Sequence, residues 1–182
     1  MAMQPFNEKK QAGLSSEVLK VLAKVSPVRD LSGHALAQAV VNLSRLFTTA
    51  RTSLPLRYLD DPAHAAAYHS YFLPVNLSKV QVLLDELPND NSTEIPDRPM
   101  TVLDLGCGPG TGSLALLDWL WHRSPKRAKS LSVLAADVSN ASLQDAKSLW
   151  EAYCQEVGIS GPGLRCVEGN LEHPLKGDLG KQ

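Results

Sequence analysis

Thr101-Val-Leu-Asp104-Leu-Gly106-Cys-Gly108-Pro-Gly110-Thr-Gly112 is the stretch that decides the fold. A short apolar run carrying one aspartate leads into glycines at every second position, and a helical pattern begins at Ser113. Glycine has no Cβ, so the backbone here can turn sharply and bring its amides close to a ligand. The helix that follows adds unpaired N–H groups and the positive end of its dipole. Strand, glycine turn and helix in that order form the setting of a nucleotide-type loop. The dinucleotide fingerprint needs G-x-G-x-x-G. Counted from Gly106 its third glycine would fall on Thr111, and counted from Gly108 on Ser113. A nicotinamide-linked oxidoreductase is therefore disfavoured.

Downstream, residues 113–122 read as a helix and Lys126-Arg127-Ala-Lys129 as a basic loop. Residues 131–136 are a second apolar strand that closes on Asp137. A second helix spans 140–157, with Ser139 as its cap and Gly158 and Gly161-Pro-Gly163 ending it. Residues 164–167 are a third strand. The alternation β-α-β-α-β, with apolar strands that do not alternate with polar residues, predicts a parallel sheet covered by helices on both faces. Twelve residues follow Asn170, and Gly177-Asp-Leu-Gly-Lys-Gln182 has no strand character.

Upstream, the first hundred residues read as helices. Ser15 or Ser16 caps a run carrying Val18, Leu19, Leu22, Ala23 and Val25, which Pro27 stops. Asp30 or Ser32 starts a second helix with Leu36, Val40, Leu43 and Phe47 on one stripe. Asp60 or Asp61 caps a third with Pro62 in its first turn. Pro74 opens or kinks a fourth over 75–87. Three prolines and few apolar residues mark 88–99 as a linker, giving a helical region at 1–87 and an α/β region at 100–182.

The composition agrees with one globular unit. The chain has 182 residues, 43% of them hydrophobic and 20% charged. Its 18 Lys and Arg nearly balance 19 Asp and Glu, which excludes a strongly basic footprint over the whole chain. The start lacks a secretory pattern, no apolar run is long enough to cross a membrane, and the three cysteines form no pair motif. A cytoplasmic protein with reduced thiols and no metal site is expected.

The order D-x-G-x-G-x-G from Asp104 resembles motif I of the class I S-adenosylmethionine-dependent methyltransferases. The resemblance implies a Rossmann-like sheet, here partial, with three parallel strands preceded by the α-helical N-terminal region. It implies that Asp104, Gly106, Gly108 and Gly110 shape a pocket for the methionine and ribose parts of S-adenosyl-L-methionine. An acidic residue suits the ammonium group there. Asp137, ending the second strand, would accept both ribose hydroxyls; its competing role is to cap the next helix. After the third strand this family commonly has Gly-Asp, which meets the adenine amino group. Here Gly169-Asn170 stands instead, and the Asn170 carbonyl can still accept; its competing role is that of a turn residue before Pro174. Cys107 reads as a small loop residue, since no histidine neighbours it in sequence.

Joined to that motif, Arg57-Tyr-Leu-Asp-Asp-Pro-Ala-His-Ala-Ala-Ala-Tyr68-His-Ser-Tyr71-Phe-Leu-Pro74-Val-Asn76 is similar to the methyltransferase-like family of the mitochondrial and bacterial small ribosomal subunit. That resemblance implies a partner in small-subunit ribosomal RNA, and either methyl transfer or a non-catalytic role in subunit assembly. Some members carry an iron–sulfur cluster, for which this chain has no cysteine group. Arg123, Lys126, Arg127 and Lys129 are the residues placed to meet RNA phosphate, with a solvated loop as the plainer alternative. In the family the first strand is central and further strands bring the residues that orient the methyl acceptor. No catalytic residue is assignable here. A missing C-terminal half or a partner chain is expected to complete the sheet.

Overall fold

A computed structural model describes residues 13–25, 31–86 and 99–170. The order of elements is α1 (Ser16–Val25), α2 (Gly33–Phe47), α3 (Pro62–Ala67), α4 (Leu73–Asp85), β1 (Met100–Leu105), α5 (Thr111–Arg123), α6 (Pro125–Lys129), β2 (Leu131–Asp137), α7 (Asn140–Val157) and β3 (Gly163–Glu168). Short 3-10 turns stand at Arg51–Ser53 and Tyr58–Asp60.

Local chemistry sets the helix starts. The Ser15 hydroxyl accepts from the Val18 N–H at 3.1 Å, Ser32 from Ala35 at 3.2 Å and Asp61 from His64 at 2.9 Å. Each relieves an orphan donor of a first turn. The break expected near Pro74 takes another form. A π turn, Tyr68–Phe72, joins α3 to α4, and the Leu73 N–H reaches back to the Tyr68 carbonyl. Pro74 has no N–H to offer, and widening the turn before it lets the helix continue. The basic loop expected at 126–129 is the short helix α6. Pro125 stands in its first turn and Ala128 is fully buried. Asp30, Leu87, most of the expected linker and everything after Asn170 lie outside the described residues.

The three strands form a parallel sheet in the order β1-β2-β3, with Val102 beside Val133 and Val133 beside Leu164. Met100, Val102, Leu131, Val133, Ala135, Leu164 and Cys166 share one face and pack into the main core with α5 and α7. The opposite face carries Thr101, Leu103, Leu105, Ser132 and Arg165, all exposed, with Leu103 at 56% and Leu105 at 52%, beside half-buried Leu134 and Val167 and buried Ala136. Among the described residues, cover on this second face is only partial, short of the cover on both faces that was expected. Both crossovers step the same way across the sheet, and right-handed connections that step one way lie on one side. Among the described residues β1 is an edge strand, not the central strand that the methyltransferase resemblance implies.

The helical region shares the core of the sheet. Val18 and Val21 of α1 and Leu73 and Leu77 of α4 are buried with Leu114, Leu117 and Tyr153. A polar contact centre lies within this packing. Asp118 of α5, 2% exposed, accepts from the Ser15 hydroxyl and the Tyr153 phenol, each at 2.7 Å, and from the Gln81 amide. Four elements therefore converge on one carboxylate, whose burial is affordable because its oxygens are bonded. A second cluster joins Ala39 and Leu43 of α2 to Ala67, and Phe47 meets Tyr58 and Phe72 edge-on at 5.4 and 5.1 Å.

Candidate functional site

The glycine turn begins where β1 ends. Gly106, Gly108 and Gly110 all have left-handed backbone, with φ of 68°, 51° and 78°. A side chain at any of the three is strained, which explains glycine at alternate positions. The Gly106 and Cys107 N–H groups donate to the Ala136 carbonyl at 2.8 and 3.1 Å, fastening the turn across to β2. Gly110 sits against α7, and a Cβ there would lie 3.0 Å from the Ala146 Cβ. A Cβ on Gly106 would meet nothing within 4 Å. Gly110 is thus required by both packing and backbone, Gly106 by backbone alone, and the space beside Gly106 stays open to a ligand.

Asp104 faces the start of α5. Its Oδ2 accepts from the Ser113 N–H at 3.1 Å and the Ser113 hydroxyl at 2.6 Å. A carboxylate at a helix N-terminus is favoured by the dipole and by the unpaired amides. Asp104 therefore fixes the turn to α5, a structural task beside the expected ligand contact.

Asp137 closes β2, opposite the glycine turn. Its Oδ2 accepts the Gly108 N–H and its Oδ1 the Ser139 N–H, both at 2.9 Å. The cap of α7 is Ser139, whose hydroxyl accepts from Ser142 N–H at 3.1 Å. So the competing role for Asp137 as the cap does not hold. Each Asp137 oxygen spends one acceptor site on the backbone and keeps a second. The Gly169 N–H donates to the Asp137 carbonyl at 2.9 Å, bringing Asn170 alongside the same corner. Asp104, the three glycines, Asp137 and Asn170 are thus gathered at the C-terminal ends of the three strands. Ligands of open α/β sheets bind at that end. The corner thus combines open space at Gly106, spare acceptor capacity on Asp137 and a polar residue after β3.

Cys107 is 5% exposed, and its thiol donates to the Gly108 carbonyl at 3.4 Å. Burial, aided by Asp104 and Asp137, pushes its ionisation well up, so it has no nucleophilic thiolate at neutral pH. Among the described residues no group of three His, Cys, Asp or Glu side chains could hold a metal.

Sequence reasoning missed the residues that the helical region contributes. Arg57 pairs with Glu168 at 2.7 Å, Asp60 accepts from the Ser139 hydroxyl, and Leu59 lies 3.8 Å from a Cβ built on Gly108. The Tyr68 phenol is 3.4 Å from the Thr111 hydroxyl at the start of α5. His69, its side chain 4% exposed, meets Asp145 of α7 at 3.0 Å. The only advance signal was that this segment carries one of the two resemblances. Arg123 turns to Asp85 of α4 and stacks over Trp119 at 4.7 Å, away from the glycine turn. A cleft of about 270 Å³ lies beside it, lined by Ser15, Gln81, Asp85, Asp118 and His122. It is at the far end of α5 from the gathered site residues, and its carboxylates are already bonded. No described helix is long and apolar enough to cross a membrane. No family model and no curated protein matches this chain.

Proposed function

We propose that this chain is the cofactor-binding part of an S-adenosylmethionine-dependent methyltransferase with a Rossmann-like sheet. The observation that carries the reading is the pairing of Asp137 with the glycine turn. A carboxylate at the tip of β2 holds the Gly108 amide and keeps acceptor capacity on both oxygens beside three left-handed glycines. In this reading Asp137 accepts from the ribose hydroxyls and the Asn170 carbonyl accepts from the adenine amino group. The left-handed turn at Gly106 leaves the room the ligand needs, and Asp104 holds that turn in register with α5. The bound cofactor supplies an electrophilic methyl group. The work of the protein is then largely positioning.

Calorimetric titration with S-adenosylmethionine tests the proposal. Binding is expected, weakened at least about tenfold by Asp137→Ala through loss of a charge-assisted pair of hydrogen bonds. A folded protein that takes up no heat with the cofactor overturns it.

The acceptor we infer is small-subunit ribosomal RNA. That rests on the 57–76 segment, whose Arg57, Leu59 and Asp60 stand beside the site. The alternative, a non-catalytic assembly factor of the small ribosomal subunit, differs in outcome. Co-sedimentation with small subunits that survives Gly108→Val favours the assembly role, and loss on that substitution favours the enzyme.

A further inference from the structure

Residues 57–60 come from the helical region yet reach the C-terminal end of all three strands, at Gly108 after β1, Ser139 after β2 and Glu168 closing β3. Arg57 Nη2 meets Glu168 Oε1 at the end of β3, two positions before Asn170. Leu59, 8% exposed, stands over Gly108. Asp60 accepts from the hydroxyl of Ser139, whose own N–H is held by Asp137. The other side of the segment is tied to the helices. Tyr58 packs edge-on to Phe47, and its carbonyl is 3.1 Å from His64 Nδ1.

The ties to the sheet differ in strength. The Arg57 and Glu168 side chains are 50% and 47% exposed, so solvent and salt screen their attraction. Asp60 is exposed too, and Leu59 alone is buried. Extended backbone flanks the turn at Leu54 and Asp61. Lifting these residues from the sheet breaks the Arg57–Glu168 ion pair and the Asp60–Ser139 hydrogen bond, uncovers Leu59, and disrupts no strand pairing. Elements with few buried contacts are the ones that open locally.

We propose that residues 57–60 form a strap over the glycine turn, latched by the Arg57–Glu168 ion pair, and that its opening gates entry and exit of the adenosyl ligand. The identity of the ligand rests on the methyltransferase reading; the opening of the strap does not.

Hydrogen exchange on the unliganded protein, read by mass spectrometry, tests the latch. In Arg57→Gln, peptides covering 57–61 and 106–111 are expected to exchange about 2- to 5-fold faster, the span an exposed ion pair supports. Peptides from α5 and β2 interiors stay unchanged, and the swap Arg57→Glu with Glu168→Arg restores slow exchange. Unchanged exchange over the turn, or an equal rise everywhere, overturns the strap. Stopped-flow mixing with S-adenosylmethionine tests the gate. Association and dissociation should both quicken by a similar factor in Arg57→Gln, leaving Kd nearly constant. Salt at about 0.5 M should quicken the wild type and leave the variant unaffected. Unaltered rates overturn the gating role. If the wild type binds no cofactor while the exchange effect persists, the strap stands and the methyltransferase reading fails.

Discussion

Single residues in the glycine turn carry distinct physical demands, and substitutions can separate them. Gly110→Ala meets both a left-handed φ of 78° and a neighbour at 3.0 Å, the Ala146 Cβ. It should cost about 2 kcal/mol or more in denaturant unfolding. Gly106→Ala meets only the backbone strain and should cost about 1 kcal/mol. Equal losses would contradict the packing argument. The glycine spacing was readable from sequence because left-handed backbone is a local property. The reason that Gly110 is crowded was not, since Ala146 is brought against it only when α7 folds back over the turn.

Elements meet at Asp118, and this contact makes the fold sensitive to alkali. Burial, then the hydrogen bond and charge of Asp118, push the Tyr153 phenol far above its usual range. Burial does the same to Tyr58, aided by Tyr68 and Asp137. In the unfolded chain these phenols lose their protons near pH 10, while the folded chain keeps them. The folded state then binds more protons, so stability falls as pH rises above about 10. Tyr153→Phe should cost about 2 kcal/mol at neutral pH by removing a bond to a charged acceptor. It should also flatten the alkaline loss, as read from denaturation midpoints at about pH 7 and 10.5. A variant as steep as the wild type would show that Tyr153 is not the titrating group. Nothing in the local pattern of α5 distinguishes Asp118 from a solvated acid. Its partners Ser15, Gln81 and Tyr153 are far from it in sequence.

At the scale of the whole molecule, the described residues cover one face of the sheet and the other only in part. Leu117 is fully buried under it, and Leu103 is more than half exposed on the other side. Leu117→Ala should cost about 2–5 kcal/mol, whereas Leu103→Lys should stay within about 0.5 kcal/mol. A large loss from Leu103→Lys in thermal unfolding would mean that the face is covered in solution. The sequence by itself determined most of the elements: capping serines and aspartates, helical stripes, three apolar strands and a glycine turn are all set by near neighbours. It also placed Asp104, Asp137 and Asn170 at strand ends, because a strand-turn-helix pattern has only one end at which they can stand. The tertiary structure alone decided which face the helices cover and that the helical region shares the core of the sheet. It alone decided, too, that Arg57, Leu59 and Asp60 lie across the site. Those outcomes depend on the direction in which the chain crosses the sheet and on contacts between residues up to 136 positions apart, and no local pattern encodes either.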